Sequence, residues 1–353
     1  MIAFVMSDDH QYTIREVLET RDHALHGRIV ILSYRDFLSR ARLPLGVYVF
    51  VDLERLDAAT MDAAAGRLER LREAVPGLRV LNPPGPGRGR LEVMQGLHRA
   101  GINRFRVMPA SQLEPDLRFP VFLRRLDDHE GPITDLIQDP PTLADALARF
   151  AADGIPREAL GVTEYVDTRN AEGHHEKMCY FRIGESLFPS ALDVSANWIC
   201  KGLSSDPHAI DASERELRFL NGTSHEAAFR EAFDAVGIGY GRADYALVDG
   251  RPQIFEINTN PLIEQPDSLP PAQRATSALV LERWLDGLAR LLPSPSTASL
   301  RWVAVEGRVP SMIPASRGRH RLRRAVRSLL AATGQLHRET TVMRPLRRLG
   351  IAD

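Results

Sequence analysis

The chain has 353 residues, of which 44% are hydrophobic, and it carries 45 lysines and arginines against 46 acidic residues. This apolar content suffices for two or three packed domains. No run approaches the ~18 consecutive apolar residues of a membrane span, so we expect no transmembrane segment. The only two cysteines, Cys179 and Cys200, lack the CxxC spacing of a zinc site and are too few for a disulfide scaffold. They indicate a reducing compartment, and we expect a cytoplasmic protein.

The first 85 residues are predicted to form a small α/β domain. Short apolar runs predict four strands, at 2–6, 29–32, 47–52 and 78–81. The first run is too short and lacks the basic flank of a signal peptide, so we expect it to be a strand. Apolar residues at helical spacing predict a helix at 60–75. The run Asn82-Pro-Pro-Gly-Pro-Gly then breaks the chain before a new helix that begins at Arg90.

The middle of the chain is predicted to contain several strands. Residues 119–124 form one strand, and residues 177–190 form two strands joined by a Gly-Glu turn. Residues 197–201 are predicted to form another strand. Helical patterns occur in four further places, at 142–152, 212–220, 224–236 and 271–291.

Only two of the 45 basic residues are lysines, Lys177 and Lys201. Arginine occupies every other basic position, as expected of a coding bias. A lysine reaches a phosphate oxygen as a compact charge without a planar fork, so a retained lysine indicates a site where guanidinium does not fit. At least one of the two is therefore predicted to bind phosphate. The alternative is retention by chance on a solvated surface.

Residues 239–264, GYGRADYALVDGRPQIFEINTNPLIE, contain the most informative pattern of the chain. Two runs flank Asp249-Gly250, which is a strong hairpin turn signal. Polar residues alternate with apolar ones along both runs, Arg242 and Asp244 on the first, Glu256 and Asn258 on the second. Burial of the apolar face brings the polar side chains together, and their carboxylate and amide oxygens suit the hard cation Mg²⁺. The alternative is an ordinary hairpin with a solvated polar face.

The register of this hairpin decides whether the two acids meet. A strict two-residue turn at 249–250 would leave Asp244 and Glu256 on opposite faces. One bulge, or a loop of odd length, restores them to the same face. A three-residue loop at 249–251 would set Asp244 directly opposite Glu256. We therefore predict one of these two irregularities.

The motif Gly-Arg-Ala-Asp-Tyr, followed by Phe-Glu-Ile-Asn-Thr-Asn-Pro, resembles the C-terminal metal and phosphate motif of the ATP-grasp superfamily, especially its D-alanine–D-alanine ligase and ribosomal-protein-modifying branches. The resemblance implies two Mg²⁺ ions, or Mn²⁺, that bridge ATP phosphates and are held by Asp244, Glu256 and Asn258. It implies that Arg242 stabilises the acyl-phosphate and the tetrahedral intermediate. Leu262 stands where the D-alanine ligases have glycine, so their substrate pocket is not carried over.

Further ATP contacts follow from the same resemblance. The family's phosphate-binding positions are basic and match Lys201, Arg124 and Arg90. For Arg90, a solvated arginine at the start of a helix is an equal alternative. The contacts to adenine lie in the inter-domain hinge and match Glu164, Tyr165 and Val166. The ribose-binding acid falls near Glu176, and an insertion at 168–175 leaves Glu172 and Lys177 as alternatives.

The resemblance covers about residues 80–290 and implies an α/β ATP-grasp fold. The implied domains are a Rossmann-like domain at 1–85, an ATP-grasp domain at 86–292 with a lid at about 112–165, and a linker with an Arg-rich extension at 293–353. The implied reaction phosphorylates a small-molecule or peptide carboxylate with ATP, and an amine then forms an amide with release of ADP and phosphate. The alternatives are an ATP-dependent phosphotransferase on the same site and a nucleotide-binding scaffold that acts through the tail.

Residues 316–353 carry ten arginines against two acids. An apolar stripe runs through the arginines and predicts a basic amphipathic helix. This helix could dock on the acidic body of the protein, or contact an acidic peptide, nucleic acid or a membrane. No aromatic residues interleave the arginines, which argues against binding of single-stranded nucleic acid. The sequence does not set the oligomeric state, and a dimer is compatible with it.

Overall fold

The structure is a computed structural model that describes residues 1–20, 23–126, 131–201, 206–222, 225–292 and 301–309. Parallel and antiparallel sheets both occur within these residues, so the mixed α/β class predicted from the sequence is confirmed. The helix predicted in the Arg-rich tail lies outside the described residues. No helix in the described ranges is long and apolar enough to cross a membrane.

The N-terminal domain is built on a parallel sheet. Its elements are β1 (Ile2–Met6), α1 (Tyr12–Thr20), β2 (Ile29–Ser33), α2 (Tyr34–Ser39), β3 (Arg42–Pro44), β4 (Val47–Phe50), α3 (Ala58–Ala74) and β5 (Val80–Leu81). Four of these strands form the sheet in the order β2-β1-β4-β5. All five residues of β1 are buried, as expected of a central parallel strand that is covered on both faces.

Different parts of the molecule cover the two faces of this sheet. On one face, Tyr48 and Phe50 belong to a core that includes α2 and α3. On the other face, the ring of Phe4 lies 5.4 Å from that of Tyr240 and shares a core with Trp284. The N-terminal domain therefore packs directly against the C-terminal half of the chain.

A three-stranded antiparallel sheet follows. The elements of this region are α4 (Arg90–Arg99), β6 (Val107–Pro109), β7 (Val121–Arg125), α5 (Pro140–Ala152) and β8 (Leu160–Glu164). The strand order is β6-β8-β7, and α5 joins the core of the sheet through Leu143, Ala146 and Leu147. β7, α5 and β8 lie within the range predicted for the lid.

The largest sheet of the described residues is antiparallel and has five strands. The remaining elements are β9 (His175–Ile183), β10 (Ser186–Ser195), β11 (Ala209–Ile210), α6 (Ser213–Leu220), α7 (Glu226–Ala235), β12 (Tyr240–Val248), β13 (Arg251–Asn258), α8 (Pro271–Ala289) and β14 (Trp302–Ala304). The sheet has the order β11-β10-β9-β12-β13. β14 pairs with β3, so the chain returns to the N-terminal domain within the range predicted as an extension.

The strand predicted at 197–201 is wrong, because these residues are irregular. Their backbone groups bond to nearby side chains. The N–H of Asn197 donates to Ser195 Oγ at 3.0 Å, and the N–H of Ile199 donates to Asn197 Oδ1 at 3.4 Å. Short polar side chains of this kind offer the backbone an alternative to a sheet ladder. The apolar residues of this segment do not reveal that competition.

Candidate active site

The hairpin of β12 and β13 closes through a two-residue turn. Asp249 and Gly250 have φ values of 51° and 73°, and a type I′ turn requires a positive φ at both central residues. Val248 pairs with Arg251 on either side of this turn. The Asp-Gly signal in the sequence therefore predicted the turn correctly, and the three-residue loop does not occur.

A single bulge restores the two acids to one face. The register of the hairpin shifts by one residue at Phe255. Beyond this shift, Asp244 pairs with Glu256 and Arg242 pairs with Asn258. Directly opposed residues in an antiparallel pair lie on the same face, so the predicted convergence of these side chains is confirmed.

The other face of the hairpin is apolar and fixes its orientation. The ring of Tyr245 lies 4.5 Å from that of Phe229 in α7. Ala243 and Ile254 are fully buried in the same core. Burial of this face directs the polar face away from α7.

Asp244 lies in a buried network with two residues of β9. Its Oδ1 accepts from Arg242 Nε at 3.1 Å and from the Cys179 thiol at 3.4 Å. Burial and the charge of Asp244 raise the pKa of Cys179 well above its ordinary value, so the thiol stays protonated and donates. Lys177 Nζ lies 3.1 Å from Asp193 Oδ2 and 3.9 Å from Asp244 Oδ2. Burial opposes the charge of Lys177, but the carboxylates outweigh it and raise the pKa of this ammonium group.

Glu256 is bound by two buried arginines from different elements. Its Oε2 accepts from Arg90, the first residue of α4, at 2.8 Å, and from Arg124 of β7 at 3.2 Å. The side chains of these arginines are only 4% and 8% exposed. Arg124 also donates to the carbonyl of Phe255 at 3.4 Å, at the bulge itself. The structure thus brings the predicted phosphate contacts Arg90 and Arg124 to the predicted metal ligand Glu256.

The polar face of the hairpin carries charges of both signs. Its basic side chains and their basic neighbours are Arg88, Arg90, Arg124, Lys177 and Arg242, and the acidic ones are Glu54, Asp193, Asp244, Glu256 and Glu264. The buried arginines suit an anion such as phosphate, which arginine binds with paired donors.

The donor atoms of this face also fit magnesium. Asp244, Glu256 and Asn258 offer only oxygen ligands, which Mg²⁺ prefers, and they would leave places for phosphate oxygens and water. Within the described ranges, no group of three or more His, Cys, Asp or Glu residues could hold a metal ion. A metal at this site would therefore be bound by two carboxylates and one amide. Asn258 Oδ1 is oriented by the N–H of Asn260, which donates to it at 2.8 Å.

Glu164, predicted to contact adenine, is enclosed by two arginines. Arg106 and Arg118 each donate to it through side chain and backbone, over distances of 2.6 to 3.2 Å. These bonds outweigh the effect of burial and lower the pKa of Glu164 to about 2. Both carboxylate oxygens are thus occupied within the protein. A role for Glu164 beside adenine stays a prediction, and Tyr165 and Val166, also predicted to contact adenine, follow directly after it at the end of β8.

An aromatic cluster beside Tyr165 was not predicted. The Trp198 ring lies 5.9 Å from that of Tyr165 and 5.1 Å from that of Phe122 in β7. Trp198 is one of three tryptophans in the chain, and it lies in the segment that was assigned to a strand. The rarity of tryptophan in this chain is the signal that could have drawn attention to this position.

The contacts given by Lys201 and Glu176 among the described residues are to groups other than the acids of the hairpin. Lys201 is exposed, and its backbone N–H donates to Asp206 Oδ2 at 3.2 Å. In the described part of the chain its ammonium group has no ion-pair partner. Glu176 accepts from Asn170 Nδ2 at 2.5 Å and forms an ion pair with Arg215. The roles of Lys201 at phosphate and of Glu176 at ribose stay predictions.

A buried polar network joins the end of the hairpin to the N-terminal domain. Asn260 Nδ2 donates to both oxygens of Asp52, at 3.1 and 3.0 Å. Asp52 also accepts from His10 Nδ1 at 3.2 Å and from the backbone of Ser7 at 2.9 Å. Thr13 donates to Asn260 Oδ1 at 2.7 Å. Sequence reasoning missed this network because its members lie more than 200 residues apart.

Comparison with known proteins gives structural neighbours only. No family model matches the sequence, and no curated protein matches it. The solved structures to which it is similar include D-alanine–D-alanine ligase from Bacillus anthracis complexed with ATP, with 15% identity, coverage of 82% of this chain and 97% of that chain, and a TM-score of 0.49. An ATP-grasp RimK domain protein from Sphaerobacter thermophilus has 14% identity, coverage of 81% and 99%, and a TM-score of 0.47. D-cycloserine synthetase has 15% identity, coverage of 83% and 100%, and a TM-score of 0.45.

Proposed function

We propose that the chain is an ATP-dependent ligase of the ATP-grasp type that joins a carboxylate to an amine. The observation that carries this proposal is the pairing of Asp244 with Glu256 on one face of a bulged hairpin, surrounded by four buried or half-buried basic side chains. An ordinary solvated hairpin has no reason to bury two arginines against one carboxylate.

The proposed reaction has two steps. A carboxylate oxygen of the substrate attacks the γ-phosphorus of ATP, the bond to the bridging oxygen breaks, and ADP leaves. The amine nitrogen then attacks the acyl carbon, phosphate leaves with the bonding electron pair, and the amine loses a proton. The protein contributes positioning and charge neutralisation, which are the main contributions of enzymes that transfer phosphoryl groups.

Each residue of the site has a proposed role. Asp244, Glu256 and Asn258 would hold Mg²⁺, which supplies neutralisation of charge on the phosphate oxygens. Arg90 and Arg124 would bind phosphate oxygens with paired N–H donors. Arg242 and Lys177 would stabilise the negative charge that develops on the acyl-phosphate and on the tetrahedral intermediate.

The nucleotide base would bind between the two antiparallel sheets. The backbone of Tyr165 and Val166 offers hydrogen bonds at the end of β8, and Trp198 offers an aromatic face beside it. The two arginines around Glu164 support this role indirectly, because they fix the position at which β8 ends. The lid at about 112–165 would close over the phosphates and exclude water that hydrolyses the acyl-phosphate.

A screen for ADP release tests the proposal. Candidate acids are supplied with ATP and Mg²⁺, with and without candidate amines, and an amide that forms only when both are present supports the ligase. ADP release with a hydroxyl compound alone, together with a phosphorylated product, would instead support the phosphotransferase. Tight ATP binding without ADP release for every pair would support the scaffold. Glu256→Gln, which removes charge at nearly constant volume, should abolish ADP formation, and near wild-type turnover of this variant would remove Glu256 from the metal site.

A further inference from the structure

Glu256 forms two buried ion pairs that a metal ligand does not need. Its Oε2 is already bound by Arg90 at 2.8 Å and Arg124 at 3.2 Å, and both arginines are almost completely buried. A carboxylate that is 19% exposed and bound in this way is neutralised by the protein itself. A divalent cation that approaches Glu256 must therefore displace two positive charges or bind beside them.

We propose that Arg90 and Arg124 occupy the coordination place of the cation at Glu256, so that the metal binds only together with a polyphosphate. The inference rests on the proposed function, because it assigns nucleotide to this site. We call Glu256, Arg90 and Arg124 the arginine latch. The phosphates would draw the two guanidinium groups away from Glu256, and the released carboxylate would then bind the metal.

The charge around the latch supports this order of events. Lys177 and Arg242 lie close to Asp244, so each of the two acids on the hairpin already has two basic neighbours. These basic groups repel a free dication, and the acids Glu264 near Arg242 and Glu54 near Arg90 offset only part of that repulsion. A nucleotide brings three or four negative charges to the same basic groups.

The geometry of Arg124 independently supports the proposed exchange of Glu256 for phosphate. Its Nε is buried and has no hydrogen-bond partner among the described residues, so the guanidinium group has donor capacity that Glu256 does not use. A phosphate oxygen would satisfy that donor, and arginine binds phosphate through two parallel bonds. Exchange of Glu256 for phosphate therefore satisfies more of the buried donors of Arg124.

The latch also connects two units of the fold. Arg124 belongs to β7 of the three-stranded sheet, whereas Glu256 belongs to β13 of the five-stranded sheet. Exchange of partners by Arg124 would occur at the place where these sheets meet. Nucleotide binding and the relative position of the two sheets are therefore linked through one side chain.

The affinity of Glu256→Gln for nucleotide provides the first measurement. We measure the affinity for the non-hydrolysable analogue AMP-PNP by calorimetry, once with EDTA and once with Mn²⁺. The latch predicts that Glu256→Gln binds metal-free AMP-PNP about tenfold more tightly than the wild type, because the arginines no longer have to leave a carboxylate. An unchanged or weaker affinity in EDTA overturns the inference. Because the loss of one negative charge also favours a polyanion, the gain supports the latch only together with the measurement on Mn²⁺ alone.

Binding of Mn²⁺ alone provides the second measurement. Electron paramagnetic resonance should detect no binding of free Mn²⁺ to the wild type at concentrations where Mn²⁺ binds in the presence of AMP-PNP. Arg124→Gln should bind Mn²⁺ without nucleotide, with an affinity at least about tenfold higher than the wild type. Equal binding of Mn²⁺ alone by the two proteins overturns the inference, and this measurement decides if Glu256→Gln does not fold.

Asp249→Asn is the matched control. Asp249 lies at the turn of the same hairpin and forms an ion pair with Arg104 at 2.5 Å, but this pair is exposed. Its removal should leave both affinities unchanged. Failure of the wild type to bind AMP-PNP under either condition overturns the proposed function and the latch together. Nucleotide binding by the wild type with no gain in either variant overturns the latch alone.

Discussion

Asp244 lies directly opposite Glu256, although the two-residue turn that joins their strands would by itself place them on opposite faces. The bulge at Phe255 adds one unpaired residue to β13 and so shifts the register by one. The carbonyl of Phe255 accepts a hydrogen bond from Arg124. Bulges bend a strand and re-aim its side chains, and this one directs a carboxylate toward two arginines. The hairpin therefore combines a tight turn with a register that the turn alone would not give.

The turn of this hairpin should be sensitive to a β-carbon. Gly250 has a φ of 73°, so Gly250→Ala should destabilise the protein by about 1 kcal/mol. Gly66 provides the opposite case, because it lies inside α3 and an added Cβ would meet nothing within 4 Å. Gly66→Ala should stabilise the protein by about 0.5–1 kcal/mol. Urea denaturation of both variants measures the difference, and two changes of the same sign would contradict this account.

The carboxylate of Glu164 should contribute to stability more than to nucleotide selectivity. Glu164→Gln removes the charge between Arg106 and Arg118 and should cost about 2 kcal/mol in the free energy of unfolding. The affinity ratio for ATP and GTP should remain unchanged in this variant, because the bonds of both oxygens to protein leave no oxygen for the base. A changed ratio at unchanged stability would instead support direct contact with adenine.

The same carboxylate predicts a pH dependence. The pKa of Glu164 is lowered from 4.5 to about 2 in the folded protein. Its contribution to stability is therefore fully present above pH 4.5 and is lost as the pH falls toward 2, because the unfolded chain takes up the proton first. Over this window the free energy of unfolding of the wild type should fall more steeply than that of Glu164→Gln. Parallel pH profiles of the two proteins would contradict the prediction.

The sequence predicted many of the elements and the hairpin, but not the long-range pairing of charges. Periodicity and turn signals are local, and they located β1, α3, α8 and the Asp249-Gly250 turn. The choice between a bulge and a longer loop depends on which apolar residues the core accepts, and no local pattern encodes that choice. The partners of Glu256 come from β7 and α4, more than 130 residues away. Burial of arginine against glutamate is likewise a tertiary effect that alternation of residue types cannot reveal.

The two lysines should differ in importance, and the structure favours Lys177. Its ammonium group lies between Asp193 and Asp244, whereas that of Lys201 is exposed. Lys177→Arg should lower the affinity for Mn²⁺ and AMP-PNP about tenfold, because a planar fork does not fit the place of a compact charge between two carboxylates. Lys201→Arg should change this affinity less than about twofold, because the side chain of Lys201 is exposed. Calorimetry decides, and a larger loss at Lys201 would support its match to the phosphate-binding lysine of the ATP-grasp family.

Asp52 and Asn260 should be energetically coupled across the domain interface. Asp52→Asn should cost about 2 kcal/mol, because a buried acceptor of three donors becomes partly a donor. Asn260→Asp should cost more, about 3 kcal/mol, because it places two carboxylates within about 3 Å of each other in a buried site. The double variant restores a donor and an acceptor between the two positions in the reverse direction. It should therefore be about 1–2 kcal/mol more stable than the sum of the single changes predicts.

Urea denaturation of the four proteins at neutral pH measures this coupling. Asp36→Asn is the control, because Asp36 forms an exposed ion pair with Arg40 at 3.0 Å, and its loss should change stability by less than about 0.5 kcal/mol. Recovery in the double variant cannot arise from the separate effects of two independent sites, since those effects would add. Additive losses would mean that the N-terminal domain is held against the hairpin by its apolar core around Phe4 and Tyr240, and that the polar network contributes no pairwise energy.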